Sequence, residues 1–221
     1  MPAAQSEPFL AADVRFPLHR LPELPSRDCA YYQEPFIGII TVTTMILIFA
    51  KATLFFTDLI QTRATATLFN VLISSWAFIA IACTLHLLFG NAGEIKRSRK
   101  TCYPIPEVVA GRLARGESMG GLSNINGGDG KTYCVRCFVW RPSFEEAGES
   151  HHCGTCNRCV TGFDHHCGVF GRCIAAGNLH CFYTLLAMAV LAALTVFGAC
   201  SSLLAEDMPD EVLVAKAAVH V

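Results

Sequence analysis

The chain has 221 residues, of which 52% are hydrophobic and only 16% charged, and its formal net charge is -1. A mean hydropathy of +0.41 is too high for an ordinary soluble domain of this length and indicates a membrane protein. A charge so close to zero supplies no overall basic field, so no nucleic-acid partner is expected.

Residues 1–35 carry several prolines and mixed charges and read as a peripheral N-terminal tail. No basic stretch followed by a short apolar one stands near Met1, and the first apolar run starts at Phe36, so the cysteine-rich part of a chain with 12 cysteines is read as reduced and cytosolic rather than as a secreted disulfide framework.

Three runs, 36–56, 66–89 and 182–204, have the roughly 20 apolar residues that a helix needs to cross a bilayer. Lys51 would cost about 2.5–3.5 kcal/mol at a helix centre but lies near the end of its run, where its side chain can reach the interface. The short turn "TDLIQTRAT" joins the first two runs, so 36–89 is expected to form a transmembrane helical hairpin. Lys96, Arg97, Arg99 and Lys100 follow the second run, whereas the acidic "AEDMPDE" follows the third. The positive-inside rule therefore places the N-terminus and the 90–181 loop in the cytosol.

Residues 90–132 are expected to be a cytosolic linker, since "RGESMGGLSNINGGDGKT" is rich in Gly, Ser and Asn without apolar periodicity. Its "GDGKT" is no phosphate-binding loop, because Ile125 stands where the first glycine belongs and Cys134 follows instead of a helix.

Residues 133–181 hold "CVRC" at 134–137, "HHCGTCNRC" at 151–159, "DHHC" at 164–167, and Cys173. A two-residue spacer lets both thiolates of a Cys-x-x-Cys pair face one ion, and a later histidine completes a tetrahedral zinc site. Cys134, Cys137, Cys153, Cys156, Cys159 and Cys173 with two histidines make eight ligands, enough for two closed zinc sites. Cys167, one further histidine and Asp164 are then left over, and spacing alone leaves open whether Cys167 is a nucleophile or another folding staple. His180 and Cys181 read as helix-boundary residues, Cys83 and Cys200 as small hydrophobes within helices, and Cys29 and Cys102 as ordinary free thiols.

The stretch from Tyr133 to Phe182, with "CVRC…HCGTCNRCVTGFDHHC" followed by Cys173, Asn178 and Phe182, resembles the DHHC family of protein S-acyltransferases (palmitoyltransferases). The resemblance implies an all-α polytopic membrane protein with a cytosolic zinc-stapled cysteine-rich domain. It implies one structural zinc on Cys134, Cys137, His152 and Cys159 and a second on Cys153, Cys156, His166 and Cys173. It also implies a catalytic set: Cys167 as nucleophile, His165 as its base, Asp164 orienting that base. A free thiol is mostly protonated at neutral pH, and an imidazole held in one tautomer by a carboxylate supplies thiolate. The implied reaction moves a long-chain fatty acyl group, such as palmitoyl, from acyl-CoA to Cys167 and then to a cysteine of a membrane-associated protein. The other reading is an inactive membrane-anchored zinc scaffold. Golgi or endoplasmic reticulum is the expected location.

This chain departs from the family pattern in several places. Gly168-Val169 stand for the usual Pro-Trp, Gly171-Arg172 for the usual Asn pair, and Asn91-Ala92-Gly93 for Asp-Pro-Gly. The stretch from Cys137 to His152 is longer than the family's, with an acidic insert. A fourth membrane helix followed by Thr-Thr-x-Glu is expected of the family, so 205–221 reads as an acidic lumenal segment or the start of a truncated fourth helix.

Overall fold

The computed structural model describes residues 16–206. The first part of the expected tail, and residues 207–221 with their possible start of a fourth helix, lie outside the described residues. In chain order the helices are α1 (Cys29–Leu59), α2 (Arg63–Phe89), α3 (Arg99–Cys102), α4 (Glu107–Arg115), α5 (Phe144–Ala147) and α6 (Leu179–Glu206). The strands are β1 (Ile125–Asn126), β2 (Thr132–Cys134), β3 (Val139–Arg141), β4 (His151–Cys153), β5 (Arg158–Val160), β6 (His165–Cys167) and β7 (Arg172–Ile174).

The chain divides into two units, one of residues up to Ile37 with Leu87–Leu179, the other of Gly38–His86 with the residues from His180 onward. The second unit holds most of α1, α2 and α6, three helices long and apolar enough to span a membrane, which makes the chain a multi-pass membrane protein. Its large apolar side chains, Phe78 and Phe197 among them, point outward, the arrangement that lipid rather than water favours. Between the helices the side chains are small or hydrogen-bonded. Ala192, Thr195 and Ala199 make a buried seam on α6, and a Cβ at Gly198 would come 3.0 Å from the Phe69 ring. Trp76 Nε1 donates to Thr195 Oγ1 at 3.1 Å, and Thr57 Oγ1 donates to Asn70 Oδ1 at 3.0 Å. At the α1–α2 turn, the Glu206 carboxylate accepts from the backbone N–H of Gln61 at 2.7 Å and of Thr62 at 3.2 Å.

The first unit has its core around Cys102, Val109, Tyr133 and Val139, all fully buried. The stretch expected to be a linker contains α3, α4 and β1. Ser98 and Thr101 form a reciprocal capping box on α3, and Gly116, at φ 66°, closes α4 with its N–H on the Arg112 and Leu113 carbonyls. A polar, glycine-rich composition permits such capped turns as readily as it permits a linker, and Val109 and Tyr133 supply the apolar surface that holds them.

Candidate metal centres and nucleophile site

Three antiparallel hairpins, β2–β3, β4–β5 and β6–β7, share one register. In each the outgoing strand ends in a cysteine, Cys134, Cys153 or Cys167, which pairs across with Val139, Arg158 or Arg172. Just before each return strand one residue takes a left-handed φ: Phe138 at 56°, Asn157 at 50° and Gly171 at 60°. Asparagine and glycine tolerate that region, whereas Phe138 is held there by burial and by its N–H bond to the Cys134 carbonyl at 2.7 Å. The middle cross-strand pairs are Tyr133 with Trp140, His152 with Cys159, and His166 with Cys173.

This register distributes the donors. The first cluster joins the Cys134/Cys137 turn of the first hairpin to the His152/Cys159 pair of the second, and the second joins the Cys153/Cys156 turn to the His166/Cys173 pair of the third. Successive strand residues face opposite ways, so adjacent His152 and Cys153 serve different clusters. His152 Nδ1 lies 3.5, 3.3 and 3.7 Å from the sulfurs of Cys134, Cys137 and Cys159. His166 Nδ1 lies 3.4, 3.5 and 3.9 Å from those of Cys153, Cys156 and Cys173. Zinc bonds of about 2.3 Å to sulfur and about 2.0 Å to nitrogen at a tetrahedral angle put ligand atoms about 3.6 Å apart, so both clusters fit that ion.

Charge tells the same way. Cys134 is held far below the ordinary thiol range by the Cys137 and Cys159 thiols bonding to its sulfur, while Cys137 is pushed up to about 12 by the same Cys134 contact. In the second cluster Cys153 is lowered by Cys156 and Cys173, and Cys156 is pushed up to about 11 by Cys153. Three crowded sulfurs without a cation favour one thiolate, and a dication removes that conflict.

The second histidine nitrogens differ. His166 Nε2 lies 3.0 Å from Glu34 Oε2, a carboxylate in the first turns of α1 that orients the ring and raises its basicity. His152 Nε2 is buried and meets no acceptor among the described residues.

The third hairpin repeats the frame with one change: Phe170, 4% exposed, stands where Cys137 and Cys156 stand in the others. Cys167 therefore has no second turn cysteine beside it and belongs to neither cluster. It is 9% exposed, with its carbonyl bound by the Gly171 N–H at 2.8 Å. His165, two residues before it, lies on the same face of β6, while His166 lies on the other. His165 Nδ1 is 2.9 Å from Asp164 Oδ2, and the Asp164 N–H extends the hairpin to the Ile174 carbonyl at 3.0 Å.

Packing explains the departures around this site. A Cβ at Gly171 would lie 2.6 Å from Pro35 Cδ. Arg172 donates from Nε to the Leu88 carbonyl at 3.1 Å and from Nη1 to the Tyr31 carbonyl at 2.9 Å, with its guanidinium 3.8 Å over the Tyr31 ring. Asn91 Oδ1 accepts from the N–H of Gly93 at 3.0 Å and of Glu94 at 2.9 Å, the turn role an aspartate would play. Gly177 packs so closely on Asn91–Gly93 that a Cβ would be 2.1 Å from the Asn91 carbonyl oxygen. Asn178, fully buried, donates to the Cys173 carbonyl at 3.0 Å and accepts from the Ala175 N–H at 2.9 Å, tying the last zinc-type ligand to the start of α6.

Glu34 and the helix-capping role of Arg172 are not readable in the sequence, because their partners lie far off in the chain. Arg158 is likewise occupied, with Glu94 at 3.3 Å and the Pro25 carbonyl at 2.9 Å.

Residues 128–219 match the family model described as DHHC palmitoyltransferase. No curated protein matches the chain.

Proposed function

We propose that this chain, whose residues 128–219 match the DHHC palmitoyltransferase family model, transfers a long-chain fatty acyl group from acyl-CoA to cysteine thiols of membrane-associated proteins, through a thioester on Cys167. The observation that carries this reading is the separation of roles along one strand: His166 faces a cysteine cluster that could hold a metal ion, whereas His165 and Cys167 share the opposite face beside Asp164.

The Asp164 carboxylate accepts from Nδ1–H of His165, which leaves Nε2 as the basic nitrogen. Nε2 takes the Cys167 proton, the thiolate attacks the acyl-CoA carbonyl, and the bond from that carbon to the CoA sulfur breaks. CoA leaves as a thiolate and receives the proton from Nε2. In the second half Nε2 takes the proton of the acceptor cysteine, whose thiolate attacks the acyl carbon while Cys167 leaves as thiolate and is reprotonated. Both steps exchange one thioester for another, so positioning and thiolate supply govern the rate. Two zinc ions serve as folding staples in the two clusters; each cluster has four protein donors and no open position.

The cations at 96–100 and the acids after α6 support placing the zinc-type loop on the cytosolic side, where acyl-CoA is available. The test is acyl-enzyme formation. Purified protein given a labelled fatty acyl-CoA should acquire a hydroxylamine-labile label. A folded, zinc-loaded chain that takes none would be an inactive membrane scaffold.

A further inference from the structure

Helices α2 and α6 hold one histidine each, His86 near the end of one and His180 at the start of the other. The fold brings these two rings to 5.6 Å between centroids. Cys181 joins them: one ligand atom from each of His86, His180 and Cys181 lies within 4.8 Å of the others. Cys83 stands one turn before His86 on the same face of α2, outside that group but with its thiol near that of Cys181. Both thiols are buried, at 8% and 9% exposure. None of these four residues belongs to the two loop clusters.

We propose that Cys83, His86, His180 and Cys181 form a third metal site that takes a divalent zinc-type cation. Two thiolates and two imidazoles are the donors of closed tetrahedral zinc sites. Charge selects the valence. On binding, the two thiols release their protons to solvent, and two thiolates cancel a 2+ ion, which leaves a neutral site among apolar helices. A monovalent copper ion on the same donors would leave one net negative charge there, which burial disfavours. Binding requires the donors to close from their present separation to about 3.3–3.8 Å, an adjustment of side-chain rotamers. His86 and His180 are the residues at which the chain leaves and re-enters the three-helix unit, so the ion would clamp the two ends of the long excursion between them and stabilise the folded state by binding to it alone.

The experiment counts zinc by elemental mass spectrometry in the full chain purified in detergent without chelator, for wild type, Cys83→Ser/Cys181→Ser, and His180→Gln. His180→Gln changes only an exposed side chain and guards against misfolding of the double variant. The readout is the difference from wild type, so it does not depend on how many ions the loop holds. Cys134→Ala, which removes only a loop ligand, serves as a control. A loss of one zinc per chain in both test variants is expected. No loss in His180→Gln overturns the site. A loss of more than one in His180→Gln also overturns it, since these residues would then be keeping the loop in shape rather than holding an ion of their own.

Discussion

Pro35 and Arg172 are linked through a missing N–H. A proline within α1 cannot bond the carbonyl four residues back, that of Tyr31, and Arg172 Nη1 donates to that carbonyl at 2.9 Å. The same guanidinium satisfies Leu88, one of the last carbonyls of α2. Arg172→Ala should therefore destabilise the fold by about 1–3 kcal/mol, since it leaves buried acceptors unmet. In a Pro35→Ala background the restored N–H supplies one of them, and the cost should be smaller by about 0.5–1.5 kcal/mol. Unfolding of the four proteins of this double-mutant cycle in detergent measures the coupling, and a coupling of zero would mean that Arg172 stabilises only by its stacking on Tyr31.

His165 and His166 are neighbours with opposite surroundings, so they should fail differently. His166→Ala should lose about one zinc per chain and loosen the third hairpin. His165→Ala should keep its zinc and lose acyl labelling by about 10²–10⁴-fold, the range of a lost general base. Cys167→Ser should abolish labelling with zinc intact, because a hydroxyl is a far weaker nucleophile than a thiolate. If Cys167→Ser costs zinc, the "DHHC" run is a ligand cluster and the enzyme reading fails.

Glu34 should set the strength of one metal site only. Glu34→Ala removes the acceptor of His166 Nε2 and should weaken zinc at the second cluster by about 10–100-fold. The first cluster should be unaffected. Competition with a chromogenic chelator should therefore turn biphasic in the variant, with the weaker phase removed by His166→Ala.

Removing a ligand should unfold rather than slow. Zinc bound to such thiolate and imidazole sets contributes about 10–16 kcal/mol per site in peptide systems, so Cys134→Ala or Cys156→Ala should each lose zinc and leave the loop open to protease. Acid should have the same effect, because protons compete with zinc for the thiolates: zinc retention falls as pH falls and recovers on raising it. Zinc content against pH, read beside limited proteolysis, checks both.

Orientation can be read with two tags. One near Gly121 should be cut by protease added outside sealed, cytosol-side-out vesicles, whereas one after Glu206 should survive. The reverse pattern would place the zinc-type loop on the lumenal side and exclude a cytosolic acyl-CoA donor.

Local spacing made part of this protein legible. Apolar runs long enough for a bilayer mark α1, α2 and α6, though the first helix begins at Cys29, ahead of its apolar run, because polar residues join a helix already nucleated. Cys-x-x-Cys spacings mark the turns, and the resemblance drawn from Tyr133 to Phe182 agrees with the matched family over 128–219. The six prolines and mixed charges before residue 36 gave no hint of Glu34, whose partner His166 is 132 residues away.

By itself the sequence determined which segments are apolar enough to leave water and which thiols stand close enough in the chain to share an ion, since both depend on contacts within a few residues. Tertiary structure alone decided how the donors are shared: one register repeated in three hairpins hands the His/Cys pair of each later hairpin to the turn before it. It also decided that Phe170 takes a cysteine's place beside Cys167, that Arg172 answers the proline in α1, and that His86 and His180 meet at the ends of two helices. Those relationships join residues distant in the chain, and a pair of that kind is fixed only when packing and strand register choose one partner among the many that local chemistry would allow.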